Sequence, residues 1–124
     1  MLEDRTLPDL LTGVLYGGLT EEVMLRWGLM SLLAVGTLRL MSGARAIWSA
    51  ALIAALAFAA MHLPAVMLEA GSLTMPLIAR TMLWNTVLGL LFGLAFMRGG
   101  LESAIGTHVG FHLGVAALAA ALGA

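Results

Sequence analysis

The 124-residue chain is 61% hydrophobic and only 10% charged, far greasier than a soluble domain, in which apolar residues approach half and charged ones about a quarter. A formal net charge of -1 and the lack of any basic cluster exclude nucleic acid as an expected partner, and zero cysteines exclude disulfides, thiolate metal sites and cysteine nucleophiles. The composition predicts an all-α chain whose solvent is the lipid bilayer: a polytopic bundle of about four transmembrane helices, forming a single domain over residues 1–124.

Met1 to Asp9 carries Glu3, Asp4, Arg5 and Asp9 and lacks the basic start of a signal peptide. Pro8 and Asp9 are start signals for a first span from Leu10 to about Leu40, interrupted by Gly13, Gly17 and Gly18. Inside it lie Glu21, Glu22 and Arg26. One ionisable side chain in a membrane-spanning helix costs roughly 2.5 to 3.5 kcal/mol on insertion scales, so three together demand a cavity, a partner or a function. Glu22 and Arg26 stand four apart in the favourable acid-first order and are read as a neutralising pair. Glu21 points about 100° away around the helix and needs a different partner.

Arg39, Ser42, Gly43 and Arg45 form a basic connection to the second span, Ala46 to Leu68, which carries no charge and is long enough to cross with some tilt. His62 and Pro64 lie near its far end, and the proline predicts a kink or helix end around Met61 to Leu63. After a polar loop of Glu69, Gly71, Ser72 and Thr74, Pro76 opens the third span, to Met97, with Arg80 expected to snorkel. Asn85, deep in that span, is expected to act as interhelical glue. Trp48, Trp84 and the methionines read as packing or interfacial belt. Arg98-Gly99-Gly100 turns the chain into a fourth span, Ser103 to Ala124, holding His108 and His112. Arg39, Arg45 and Arg98 outnumber Arg5 and Arg80, so the connections after spans one and three are expected to be cytoplasmic.

Gly13 with Gly17, Gly89 with Gly93, and Gly106, Gly110 and Gly114 repeat every fourth residue, the small-residue pattern that lets helices approach closely in lipid. His108 and His112 lie about 200° around the helix from the last of these ridges. The fourth span is therefore expected to be enclosed on two sides. At 1.5 Å per residue, Glu21 and His108 reach similar depths of roughly 18 and 20 Å, whereas His62 is shallower, roughly 9 Å, unless the chain breaks at Pro64.

Glu21-Glu22-x-x-x-Arg26, Phe58-x-x-x-His62 and His108-x-x-x-His112, in that order on three apolar spans, resemble the CPBP family of intramembrane endopeptidases, which comprises type II CAAX prenyl proteases, bacteriocin-processing enzymes and abortive-infection-like proteins. Two motifs match fully. The third departs, since His112 stands where asparagine or aspartate is usual, and the chain resembles the four-helix core of a family whose members generally carry further spans. The resemblance implies an endopeptidase that hydrolyses a peptide bond near the membrane surface. It implies that Glu21 and His62 activate water, that His108 with residue 112 forms the oxyanion hole, and that Glu22 with Arg26 holds the first helix in register. Phe58 would brace His62.

That assignment is chemically coherent. Amide hydrolysis needs a base for water, donors for the developing oxyanion and an acid for the leaving amine. A glutamate and an imidazole can polarise one water, and two imidazoles four apart can aim N–H donors at one oxygen. The same residues permit a metal reading, with Glu21, His62 and His108 as zinc ligands and water as the fourth. The metal-free glutamate mechanism is favoured, with no cofactor and zinc as the alternative. The expected partners are a peptide or protein substrate and the lipid bilayer, with no nucleic acid. Every basic residue is arginine, which hints at a GC-rich bacterial genome, and the expected location is a bacterial plasma (inner) membrane, as a multi-pass protein. The competing function is a non-catalytic membrane immunity or scaffold protein of the same fold.

Overall fold

The computed structural model describes residues 6–123, and among these every regular element is a helix. Glu3, Asp4 and Arg5 lie outside the described residues. The first helix, α1, runs Leu7–Leu40. Its start follows from a capping box: the Thr6 backbone N–H and hydroxyl donate to Asp9 Oδ2 at 2.9 and 2.6 Å, and Pro8 sits in the first turn, where its missing donor costs nothing. The middle of α1 is wound as π-helix over Gly13–Glu21 and Val23–Met30, with i→i+5 bonding where the spacing had been read as ordinary α-helix. Side-chain hydroxyls span the same interval: Thr20 Oγ1 donates to the Leu15 carbonyl and Ser31 Oγ to the Arg26 carbonyl.

The second helix, α2, occupies Gly43–Ala70 and breaks at His62. Pro64 causes the break, because it has no N–H for the Ala60 carbonyl and its ring clashes with the preceding turn. Gly71, at φ 72°, closes the helix through an N–H donated to the Met67 carbonyl. The helical run Met75–Leu122 is interrupted by Gly100, whose φ 74° and ψ -168° only glycine adopts readily. We call its limbs α3 (75–99) and α4 (101–122). In one straight helix Phe92 and His108 would be about 24 Å apart, yet their rings stack at 4.2 Å. The chain therefore doubles back at Gly100. Among the described residues three helices are long and apolar enough to cross a membrane, the third being this hairpin, which gives the multi-pass bundle and approximates the four spans expected.

An alanine face on α2 sets the packing. Ala46, Ala50, Ala51, Ala54, Ala55 and Ala59 are all at most 1% exposed, so α1 and α3 approach to backbone distance. A Cβ added at Gly89 would lie 3.0 Å from the Cα and Cβ of Ala55, which accounts for a small residue there. Leu25, Phe58 and Phe92 form the central apolar cluster, with Met30, Ala51 and Ala54 forming a second. The ridge of Gly106, Gly110 and Gly114 corrects the expectation of a doubly enclosed fourth span. Added Cβ atoms at these positions meet nothing within 4 Å, because α4 turns its histidine face, and not its glycine face, towards the bundle.

Candidate active site

The charged triplet of α1 divides between two environments. Glu22 and Arg26 are fully buried and in contact, Arg26 Nε lying 3.1 Å from Glu22 Oε2. Arg26 Nη2 donates to the Gly89 carbonyl on α3 at 3.2 Å, and its guanidinium lies 5.2 Å from the Phe58 ring centroid and 5.9 Å from that of Phe92. Aromatic faces attract a cation at such distances, so the rings replace part of its lost solvation. The other Glu22 oxygen, Oε1, accepts from His108 Nδ1 at 2.8 Å. Because a carboxylate beside a guanidinium can only accept, the ring proton belongs on Nδ1. Glu22 thus ties α1 to α4, and Arg26 ties α1 to α3.

Glu21 faces the other way, into a cavity of about 1000 Å³. His62, His108 and His112 line the same cavity, so the structure brings together all four residues singled out from the sequence, on three of the chain's helices. The break at Pro64 is what admits His62, which caps the first part of α2 instead of lying farther along a straight helix. Its Nδ1 is 2.8 Å from the Phe58 carbonyl. A carbonyl only accepts, so Nδ1 carries the proton and Nε2 keeps its lone pair. Phe58 packs on the His62 ring at 4.6 Å and edge-on to His108 at 5.8 Å. Phe92, His108 and His112 form a continuous stack, with centroids 4.2 and 5.1 Å apart and both pairs within 15° of parallel.

Arg80 and Trp84, both exposed, also line the chamber. Asn85 is not glue between helices in its described contact: Nδ2 donates to the Thr81 carbonyl one turn back on α3, and the side chain borders the cavity. Phe92 and the Glu22–His108 bond were not found from the sequence. Residues 86 positions apart leave no local trace of contact, and a backbone carbonyl such as that of Gly89 has no residue signature at all.

Among the described residues no three His, Asp or Glu side chains come together as metal ligands do. What the arrangement offers is a carboxylate and an imidazole lone pair beside two further imidazoles, in the lining of a chamber large enough for a peptide segment.

No curated protein and no solved structure matches the chain. A family model does: the one described as type II CAAX prenyl endopeptidase Rce1-like matches residues 3–114, a range that takes in Glu21, His62, His108 and His112 together with the glutamate–arginine pair behind them. The chamber at the meeting of these helices is thus found in a chain that belongs to the Rce1-like family of CAAX-type intramembrane proteases.

Proposed function

We propose that this protein is an intramembrane endopeptidase in which Glu21 and His62 activate a water molecule without a metal. The observation that carries the reading is that Glu21, His62, His108 and His112 line one cavity while the far nitrogens of His62 and His108 are held by Phe58 and Glu22. Anchored at Nδ1, each of these rings has Nε2 left for a reacting group.

In the proposed reaction a water donates one hydrogen bond to Glu21 and one to the bare Nε2 of His62. Its oxygen attacks the peptide carbonyl as Glu21 takes the proton, and the carbonyl electrons move onto oxygen. His108 Nε2 donates to that oxyanion when the ring is protonated at both nitrogens, its charge matched by the Glu22 carboxylate at Nδ1; His112 supplies the second donor. The tetrahedral intermediate collapses, the C–N bond breaks, and the proton held by Glu21 passes to the leaving amine. The products are a carboxylic acid and an amine, so atoms and charge balance. Glu22 and Arg26 touch no reacting atom and position α1 and His108.

The family points to a peptide substrate ending in a CAAX-type sequence, and the arginine-only usage of the chain fits a GC-rich bacterial genome, in which the location would be the inner membrane. The test is cleavage of quenched CAAX-type peptides, prenylated and unprenylated, by protein reconstituted in lipid. Wild type should cut while Glu21→Gln and His62→Ala do not. Equal background from all three would instead support a non-catalytic scaffold.

A further inference from the structure

Where α1 meets α4, two positions of α1 have no side chain. A Cβ added at Gly13 would lie 2.7 Å from Nδ1 and 2.9 Å from Cε1 of His112. One added at Gly17 would lie 3.1 Å from His112 Nε2 and 3.3 Å from His108 Nε2. The need for glycine is not conformational. Gly13 has ordinary helical angles, φ -60° and ψ -41°, which alanine adopts more favourably than glycine does inside a helix. What excludes a side chain at 13 is the ring of His112. Gly17 differs in that two Nε2 atoms from different imidazoles face the same small space above it, and both glycines border the cavity that Glu21 enters.

We propose that Gly13 and Gly17 are positioning residues of the reaction site: Gly13 seats the His112 ring, and Gly17 keeps clear the space that both Nε2 atoms face. That space is where the carbonyl oxygen of a bound peptide becomes an oxyanion, so the assignment rests on the peptidase reading above and adds a wall to its site. It also explains how an imidazole is accommodated at residue 112, where the related motif usually carries a shorter side chain. The extra length of histidine is taken up by the missing Cβ of Gly13.

The test is a cycle of four reconstituted proteins: wild type, Gly13→Ala, His112→Asn and Gly13→Ala with His112→Asn, each assayed on a CAAX-type peptide and melted in detergent. Loss of one oxyanion donor lowers kcat about 10²-fold, so Gly13→Ala is expected to lower kcat by about that factor with KM unmoved. The double variant is expected to match His112→Asn alone, since the shorter side chain clears the added methyl. Wild-type kcat in Gly13→Ala, or losses that simply multiply in the double variant, would overturn the seating role. Should wild type cut nothing, the peptidase reading falls and the melting points decide the seating. Gly13→Ala must then lower the midpoint beside histidine but not in the His112→Asn background, and equal shifts in both overturn it. If Gly13→Ala alone does not fold, recovery of folded protein in the double variant supports the seating and continued misfolding refutes it. Gly17→Ala, whose contacts are less tight, is expected to fold and to lose kcat to a similar extent; full activity would remove Gly17 from the site.

Discussion

Glu21 and Glu22 are neighbours in sequence and opposites in surroundings. Glu22 sits on the dry side of the bundle, with both oxygens directed at fixed partners, Arg26 and His108. Glu21 sits on the wet side, bordering a cavity of about 1000 Å³ with three imidazoles. The π winding that flanks them belongs to a class of helical irregularity frequent at functional sites. The contrast teaches that burial of a charge alone does not identify a reacting group. A carboxylate with both oxygens against charged or polar protein groups holds structure, whereas one bordering a chamber can meet a substrate.

The contrast is broken most severely by Arg26→Met. It leaves the buried Glu22 carboxylate with only the His108 ring beside it, and removing one partner of a buried pair costs about 3–5 kcal/mol. Folded yield and detergent melting should fall steeply, and adding Glu22→Gln should recover a large part of the loss. Recovery would show that the cost lies in the stranded charge and not in lost packing of the guanidinium between Phe58 and Phe92.

Glu21→Gln should give the opposite signature. Loss of a general base lowers cleavage by about 10²–10⁴-fold, whereas melting should change little, because glutamine keeps the shape and no described partner is stranded. Peptide turnover and thermal unfolding measured on one preparation separate the two outcomes. If Glu21→Gln melted like Arg26→Met, Glu21 would belong to the dry side and the division would fail.

How much of this division was legible in the sequence depends on how local its causes are. The cap of α1 at Asp9, the break at Pro64 and the turn at Gly99-Gly100 were readable because each acts within one helical turn. That Glu21, His62, His108 and His112 would border one cavity was readable because acids and imidazoles are costly in lipid wherever they stand. The partner of each was not. Arg26 bonds the backbone of Gly89, which any residue presents, and Glu22 reaches His108 through a fold that no spacing rule encodes. The π winding was likewise hidden, since glutamates at i and i+1 look the same in either helix type.

A smaller effect is expected where the two sides touch. Phe92, which belongs to the central apolar cluster and also borders the cavity, stacks on His108, and aromatic pairs contribute about 0.5–1.5 kcal/mol beyond area burial. Phe92→Leu should therefore cost up to about tenfold in kcat if the ring holds His108 in its catalytic pose, since about 1.4 kcal/mol corresponds to tenfold. Unchanged kcat would leave the orientation of His108 to Glu22, Phe58 and His112.

The smallest effect sharpens the comparison from outside. Gly18 on α1 faces Val109, whose Cγ2 would clash with an added Cβ, while Gly110, the next residue of α4, faces open space together with Gly106 and Gly114. Gly18→Ala should lower the melting point. Gly106→Ala should leave it level or raise it, by up to about 1 kcal/mol of helix propensity, with cleavage unaffected. If Gly106→Ala were as damaging as Gly18→Ala, the open ridge would have a close neighbour in the bilayer, and α4 would be packed on both faces after all.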